Sequence, residues 1–174
     1  MPIRGFGPIG LRIIQTLRDH LPAELDFIDA EEAQAATPDV LDGSYHEYFR
    51  PIVPVFPAVR IQPRGFQPID VKPVNHGAHL DAYYRFDVVV DTQLKTAADT
   101  PLTLHRWVIT YTRGIFRVLC VRKVRLETAA DPTAFAFNVE HDGAVRIGPE
   151  VEQEEGTAVR SGAVPIKVRQ YETL

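Results

Sequence analysis

The chain has 174 residues, 45% hydrophobic and 24% charged, with 19 basic against 23 acidic residues. That is enough apolar sequence for one domain with a sizeable core, expected over 1–174, and the net charge of -4 points away from a free-standing nucleic-acid binder. A lone cysteine, Cys120, excludes an intrachain disulfide. No uncharged apolar run approaches the roughly 20 residues of a membrane span, and the N-terminus lacks a signal peptide's apolar stretch, so synthesis in the cytoplasm is expected.

Glycines cluster in Gly5-Phe6-Gly7-Pro8-Ile9-Gly10, but no strand precedes them and no Gly-Lys-Ser/Thr follows, so a phosphate loop is not indicated. An arm-like N-terminus fits them better. Ile9, Ile13, Leu17 and Leu21 then recur every four residues, predicting a short helix with Pro8 in its first turn and Pro22 as its stop. Residues Ala30–Ala36 favour helix by propensity but carry no apolar stripe.

Prolines 51, 54, 57, 63, 68 and 73 mark the stretch 51–78 as a proline-rich extended segment. Such density argues against a central strand and for an arm, or for an extended run along a sheet edge with Pro57–Gln62 pairing. Pro51, Pro54 and Pro57 fall at every third residue, the period of a polyproline helix, so they share one edge that a neighbouring subunit or an aromatic groove can read. The plainer role of such prolines is to blunt an exposed edge against aggregation.

Asn75–Gly77 turns the chain into a strand over Asp81–Asp91, where Ala82, Tyr84, Phe86, Val88 and Val90 take one face and Arg85 and Asp87 the other. His76, His79 and Asp81 have a spacing that zinc can use, but it is not H-E-x-x-H on a helix and no further cluster completes it. A turn with solvated histidines is the plainer expectation, and neither metal nor cofactor is expected. His20, His46, His105 and His141 are scattered, and Ser44 and Ser161 lack the Gly-x-Ser-x-Gly setting of a hydrolase.

After a polar loop, Thr100 and Pro101 make a natural N-cap and first helical residue. Leu104, Trp107, Val108, Tyr111, Ile115 and Leu119 form the buried stripe of a long helix. Arg106, Thr110, Arg113 and Arg117 lie on its far face, flanked by Ile109 and Phe116. A solvated face is the usual meaning, yet arginines beside bulky apolar residues also suit a subunit interface. Cys120 sits at the apolar end of the helix, where an inert buried thiol is expected. Val124 and Leu126 suggest that a strand follows.

The last third reads as β structure, a C-terminal hairpin and terminal strand over 130–174. Phe135, Phe137 and Val139 alternate, Asp142-Gly143 signals a two-residue hairpin turn, and Val145 and Ile147 open the return strand. Glu150, Glu152, Glu154 and Glu155 form an acidic run closed by Gly156, ordinarily a solvated loop. Val164–Tyr171 supplies the final strand. The expected fold is α+β: a mainly antiparallel or mixed sheet with one long and one or two short helices packed on one face, plus the proline-rich extended arm or loop.

This order of elements resembles the tail terminator and tail completion (neck) proteins of long-tailed bacteriophages. The resemblance runs through the helix Ile9–Leu21, the segment Phe56-Pro57-Ala58-Val59-Arg60-Ile61, the strand His79–Asp91, the helix Leu102–Leu119 and the strand Val164-Pro165-Ile166-Lys167-Val168-Arg169. It rests on element order and texture over most of the chain, with no diagnostic motif and no catalytic residue to carry over. The proline-rich insertion and the extended C-terminal hairpin are departures from it.

The resemblance implies a homo-hexameric ring in the virion neck, made in the host cytoplasm. Its partners would be the tail tube protein and the head connector or stopper protein. Double-stranded DNA would pass through as non-specific cargo, with no membrane involved. Arg106, Ile109, Arg113, Phe116, Arg117, Pro51, Pro54 and Pro57 are then the candidate subunit contacts. Glu150, Glu152, Glu154 and Glu155 are the candidate channel-facing acids, which would repel phosphates. Other readings are a different neck component (a head completion or stopper protein), a peptide-binding module using the proline-rich segment, and a small metal-dependent hydrolase.

Overall fold

A computed structural model describes residues 6–47, 55–74, 77–95, 97, 100–122, 136–153 and 156–173. The elements are α1 (Phe6–Glu31), β1 (Tyr45–His46), β2 (Ala58–Val74), β3 (Gly77–Lys95), α2 (Thr100–Phe116), β4 (Ala136–His141), β5 (Arg146–Gln153) and β6 (Thr157–Thr173). The fold is α+β, with a mixed sheet of six strands and two helices among the described residues. The long strands run in the order β2-β3-β6, all antiparallel, and among the described residues the only parallel pairing is that of the two-residue β1 with β2.

The even-numbered residues of β3 face the helices. Ala82, Tyr84, Phe86, Val88 and Val90 are buried there beside Val59 and Ile61 of β2 and Val164, Ile166 and Val168 of β6. From above, α1 contributes Ile9, Ile13, Leu17, Leu21 and Leu25, and α2 contributes Tyr111 and Ile115. Each such side chain stabilises the fold by roughly 1.5–3 kcal/mol on burial. Both helices lie on this face. Gly10 of α1 approaches Ile61, and Gly162 of β6 lies beneath Val108 and Thr112 of α2.

Four expectations change. The first helix is not short, because α1 runs for 26 residues with Pro22 inside it. An interior proline costs about 3 kcal/mol, but Leu25 and Ile28 continue the buried stripe past it and repay that loss. The helical tendency of 30–36 ends at Glu31, and Ala33 turns the chain at φ 50°. Thr100 opens α2, but its hydroxyl ties down the preceding loop, accepting from the Ala97 amide at 2.5 Å and donating to the Lys95 carbonyl at 3.1 Å.

The Asp142-Gly143 hairpin is the fourth. β4 and β5 do not pair with each other; both pair with β6, one beyond the other along the same edge. The ladder breaks between His141↔Ile166 and Arg146↔Ala163, at Pro165. The Pro165 carbonyl accepts the Asp142 amide at 3.0 Å, so its side of β6 faces this edge, and proline has no N–H to continue the ladder there. The actual hairpin joins β5 to β6, with Gln153 opposite Thr157 and Gly156 at φ 66°. The strand expected around Val124 and Leu126 falls outside the described residues.

The proline-rich stretch includes a 17-residue strand that lies at the sheet edge. β1 covers only Val59 and Arg60; beyond them no described strand pairs with the outer side of β2. Pro63, Pro68 and Pro73 stand opposite Phe86, Ala82 and Ala78. Register shifts after Pro63 and after Pro68 convert a five-residue spacing on β2 into a four-residue spacing on β3. All three prolines therefore occupy equivalent pairs. Having no N–H to give β3, each points its ring nitrogen toward the open edge.

Candidate functional site

The far face of α2 turns out to be partly an internal seam. Arg113 reaches Glu31 at 3.1 Å and also pairs with Glu32, both at the end of α1. Arg117 lies 2.9 Å from Glu31 and 3.5 Å from Glu24, and Arg122 also pairs with Glu24. Glu24 is buried, and Thr110 is buried where Gln34 donates to its hydroxyl. The hydrogen bond to Glu31 pushes the Arg117 pKa up, so its charge is secure. Arg117 and Arg122 flank the exposed ring of Phe27 at 5.7 and 5.8 Å from its centroid.

Of the other candidates on α2, Ile109 is exposed, Arg106 is half-buried, and Phe116 packs edge-on against His141 at 5.2 Å. A π turn, Arg117–Val121, extends α2 and half-buries Cys120, whose thiol burial pushes up to about 11. Such a shift disfavours the thiolate at neutral pH. Pro51, Pro54, Glu154, Glu155, His76 and the His79 side chain lie outside the described residues. Pro57 is half-buried just before β2. Asp81, the carboxylate of the possible metal trio, is held by Arg169.

The opposite face of the sheet carries a charge network that sequence reading did not assemble. Asp81, Asp87 and Asp91 are buried at odd positions of β3, away from the helices. Asp91 accepts from Arg60 at 2.5 and 3.0 Å and from the Ser161 hydroxyl at 2.6 Å. Asp87 lies between Arg146 of β5 at 2.5 Å and Arg64 of β2 at 3.6 Å. Arg169 of β6 grips Asp81 with Nε at 3.0 Å and Nη2 at 2.6 Å. Arg85 pairs with Asp142 at 3.4 Å, and Lys167 with Glu140 at 3.1 Å, the lysine standing over the Tyr83 ring.

These charges are layered. The side chains of Arg64, Arg85, Arg146 and Arg169 are 41–53% exposed, whereas those of Asp81, Asp87 and Asp142 are 11–16% exposed. Solvent meets guanidinium groups, with the carboxylates beneath them. Hydrogen bonds donated to Asp81 and Glu140 raise the Arg169 and Lys167 pKa values and keep both charged. The signal in the sequence was the set of aspartates on the polar side of β3; their partners depend on a cross-strand register that no local pattern contains.

The acidic hairpin is at one end of the sheet. Glu150 and Glu152 stand opposite Arg160 and Ala158, register positions on the helix side, and Val151 between them is exposed. No protein-family model matches the chain, and no curated protein matches it. No described helix is long and apolar enough to cross a membrane. What the fold and surfaces define is an α+β domain with one sheet face under helices and the other dressed in paired charge.

Proposed function

We propose that this chain is a structural protein of a tailed-phage head–tail junction, acting by assembly rather than by catalysis. Copies form a homo-hexameric ring that terminates the tail tube and joins it to the head connector, with double-stranded DNA passing through. It is made in the host cytoplasm and resides in the virion neck.

The observation that carries the proposal is the architecture. A helix, a long antiparallel hairpin, a second helix and a closing strand build one sheet whose helix-free face and outer edges offer extended, charge-bearing surfaces. Such surfaces suit heterologous contacts, whose closure into a ring depends on the rotation between subunits. Ile109, Arg106 and the Phe27–Arg122 patch supply further contact area on the helix side.

The test is sedimentation of the purified chain alone, then with tail-tube and connector proteins. Defined rings or stoichiometric complexes are expected. A strict monomer that binds neither neighbour would overturn the proposal. Flanking portal, capsid and tail-tube genes are the expected genomic setting.

A further inference from the structure

We infer that the guanidinium-bearing face of the sheet receives the acidic β5–β6 hairpin of a second copy of this chain, a contact that rests on the assembly proposed above. Two observations meet here. The first is the layering of the outer face. Arg64, Arg85, Arg146 and Arg169 come from four different strands and hold their carboxylates underneath, so donor N–H groups not engaged below remain directed to solvent.

The second is where the chain keeps its excess charge. Acidic residues outnumber basic ones by four, 23 to 19, and the segment 150–155 contains four glutamates and no lysine or arginine. Outside it the chain is electrically balanced. In the described part of this segment Val151 and Glu152 are exposed, on opposite faces of β5.

The surfaces cannot meet within one molecule, since the hairpin is part of the same sheet and Glu150 and Glu152 occupy helix-side positions. Between copies, the hairpin end of one sheet laid on the outer face of the next is a heterologous contact, the kind that builds rings. A carboxylate reaching a partly desolvated arginine gains a charge-assisted, bidentate hydrogen bond. Duplex DNA is the competing polyanion, but the face carries nearly as many acids as bases and the chain is net negative, so an acidic protein segment suits it better. The hairpin acids are thereby assigned to a subunit contact rather than to the channel.

The experiment compares the full chain with Arg146→Glu, Glu152→Arg and the double swap by analytical ultracentrifugation, at roughly 50 mM and 500 mM salt. Each single reversal is expected to weaken self-association by about tenfold, high salt to do the same, and the double swap to recover most of the loss. Glu152 is exposed, so Glu152→Arg tests the contact even if Arg146→Glu unfolds the protein by setting a second carboxylate against Asp87. Oligomers indifferent to salt and to Glu152→Arg would overturn the inference while leaving the assembly proposal standing; a strict monomer would sink both. A short duplex that binds the full chain and is lost with Arg146→Glu, with self-association unchanged by Glu152→Arg, would give the face to DNA and overturn the inference.

Discussion

Gly162 of β6 lies so close under Thr112 of α2 that a Cβ at 162 would stand 2.6 Å from the threonine Cγ2 and 2.7 Å from Val108 Cγ1. The absence of a side chain there sets the depth at which α2 settles onto the sheet. Thr112 is fixed in turn, its hydroxyl donating to the Val108 and Ile109 carbonyls at 2.8 and 3.0 Å.

Gly162→Val should therefore push α2 off the sheet and cost about 1–3 kcal/mol, as overpacking does. Urea denaturation reads this as a lower midpoint. Gly43→Ala is the control, since a Cβ there meets nothing within 4 Å, and its midpoint should stay within about 0.5 kcal/mol of the parent. Equal losses at both positions would contradict the close-approach account.

The Glu24 carboxylate is 3% exposed and serves both Arg117 and Arg122, whose side chains are 21% and 52% exposed. Removing the shared partner takes the Glu24 carboxylate from Arg122 and leaves Arg117 to Glu31. Glu24→Ala should cost roughly 2–3 kcal/mol, a buried-pair penalty reduced by solvent around Arg122. Arg122→Ala leaves Glu24 paired to Arg117 and should cost under about 1 kcal/mol. If the two variants melt together, Glu24 is not the hub of the seam.

Burial raises the Cys120 thiol to about 11, from an ordinary value of 9.0. Between those values the unfolded chain gives up a proton that the folded chain keeps, so the unfolded state gains and stability falls as pH rises. Buried Tyr45 and Tyr111, whose pKa values are also raised by desolvation, steepen the fall above pH 10. Chemical denaturation should show a flat profile up to about pH 9 and a decline beyond it. Cys120→Ala should soften the first part of that decline. Fast alkylation of the native thiol at neutral pH would contradict its burial.

Replacing Pro63 and Pro68 with valine should return two amides to the open edge of β2 and invite strand addition. The expected result is faster aggregation at unchanged or improved thermal stability, followed by light scattering. A double variant as slow to aggregate as the parent would show that the edge is guarded by something other than its prolines.

Elements whose cause is local were legible in the sequence. The alternation of Ala82–Val90 and the stripe Leu104–Leu119 each lie within one segment, and both elements are present where that pattern placed them. The failures have distant causes. Pro22 is a stop signal by itself, yet Leu25 and Ile28 pack against Gly114 of α2 and carry α1 through it. Asp142-Gly143 is a hairpin signal by itself, but what happens there is decided by Pro165 on another strand. Arg113 and Arg117 read as an outer face because their acidic partners lie more than eighty residues away in sequence. The cross-strand pairs of Asp81, Asp87 and Asp91 were invisible for the same reason.

The gap opposite Pro165 also divides one margin of the sheet into two lengths that unzip separately. Opening that starts at the Gln153–Thr157 end can peel β5 residue by residue, but at Pro165 it meets a residue with no N–H of its own to pass the strain along. Opening of β5 therefore need not carry into β4. The missing hydrogen bond acts as a firebreak, giving the hairpin room to adjust to a neighbour without loosening the core behind it.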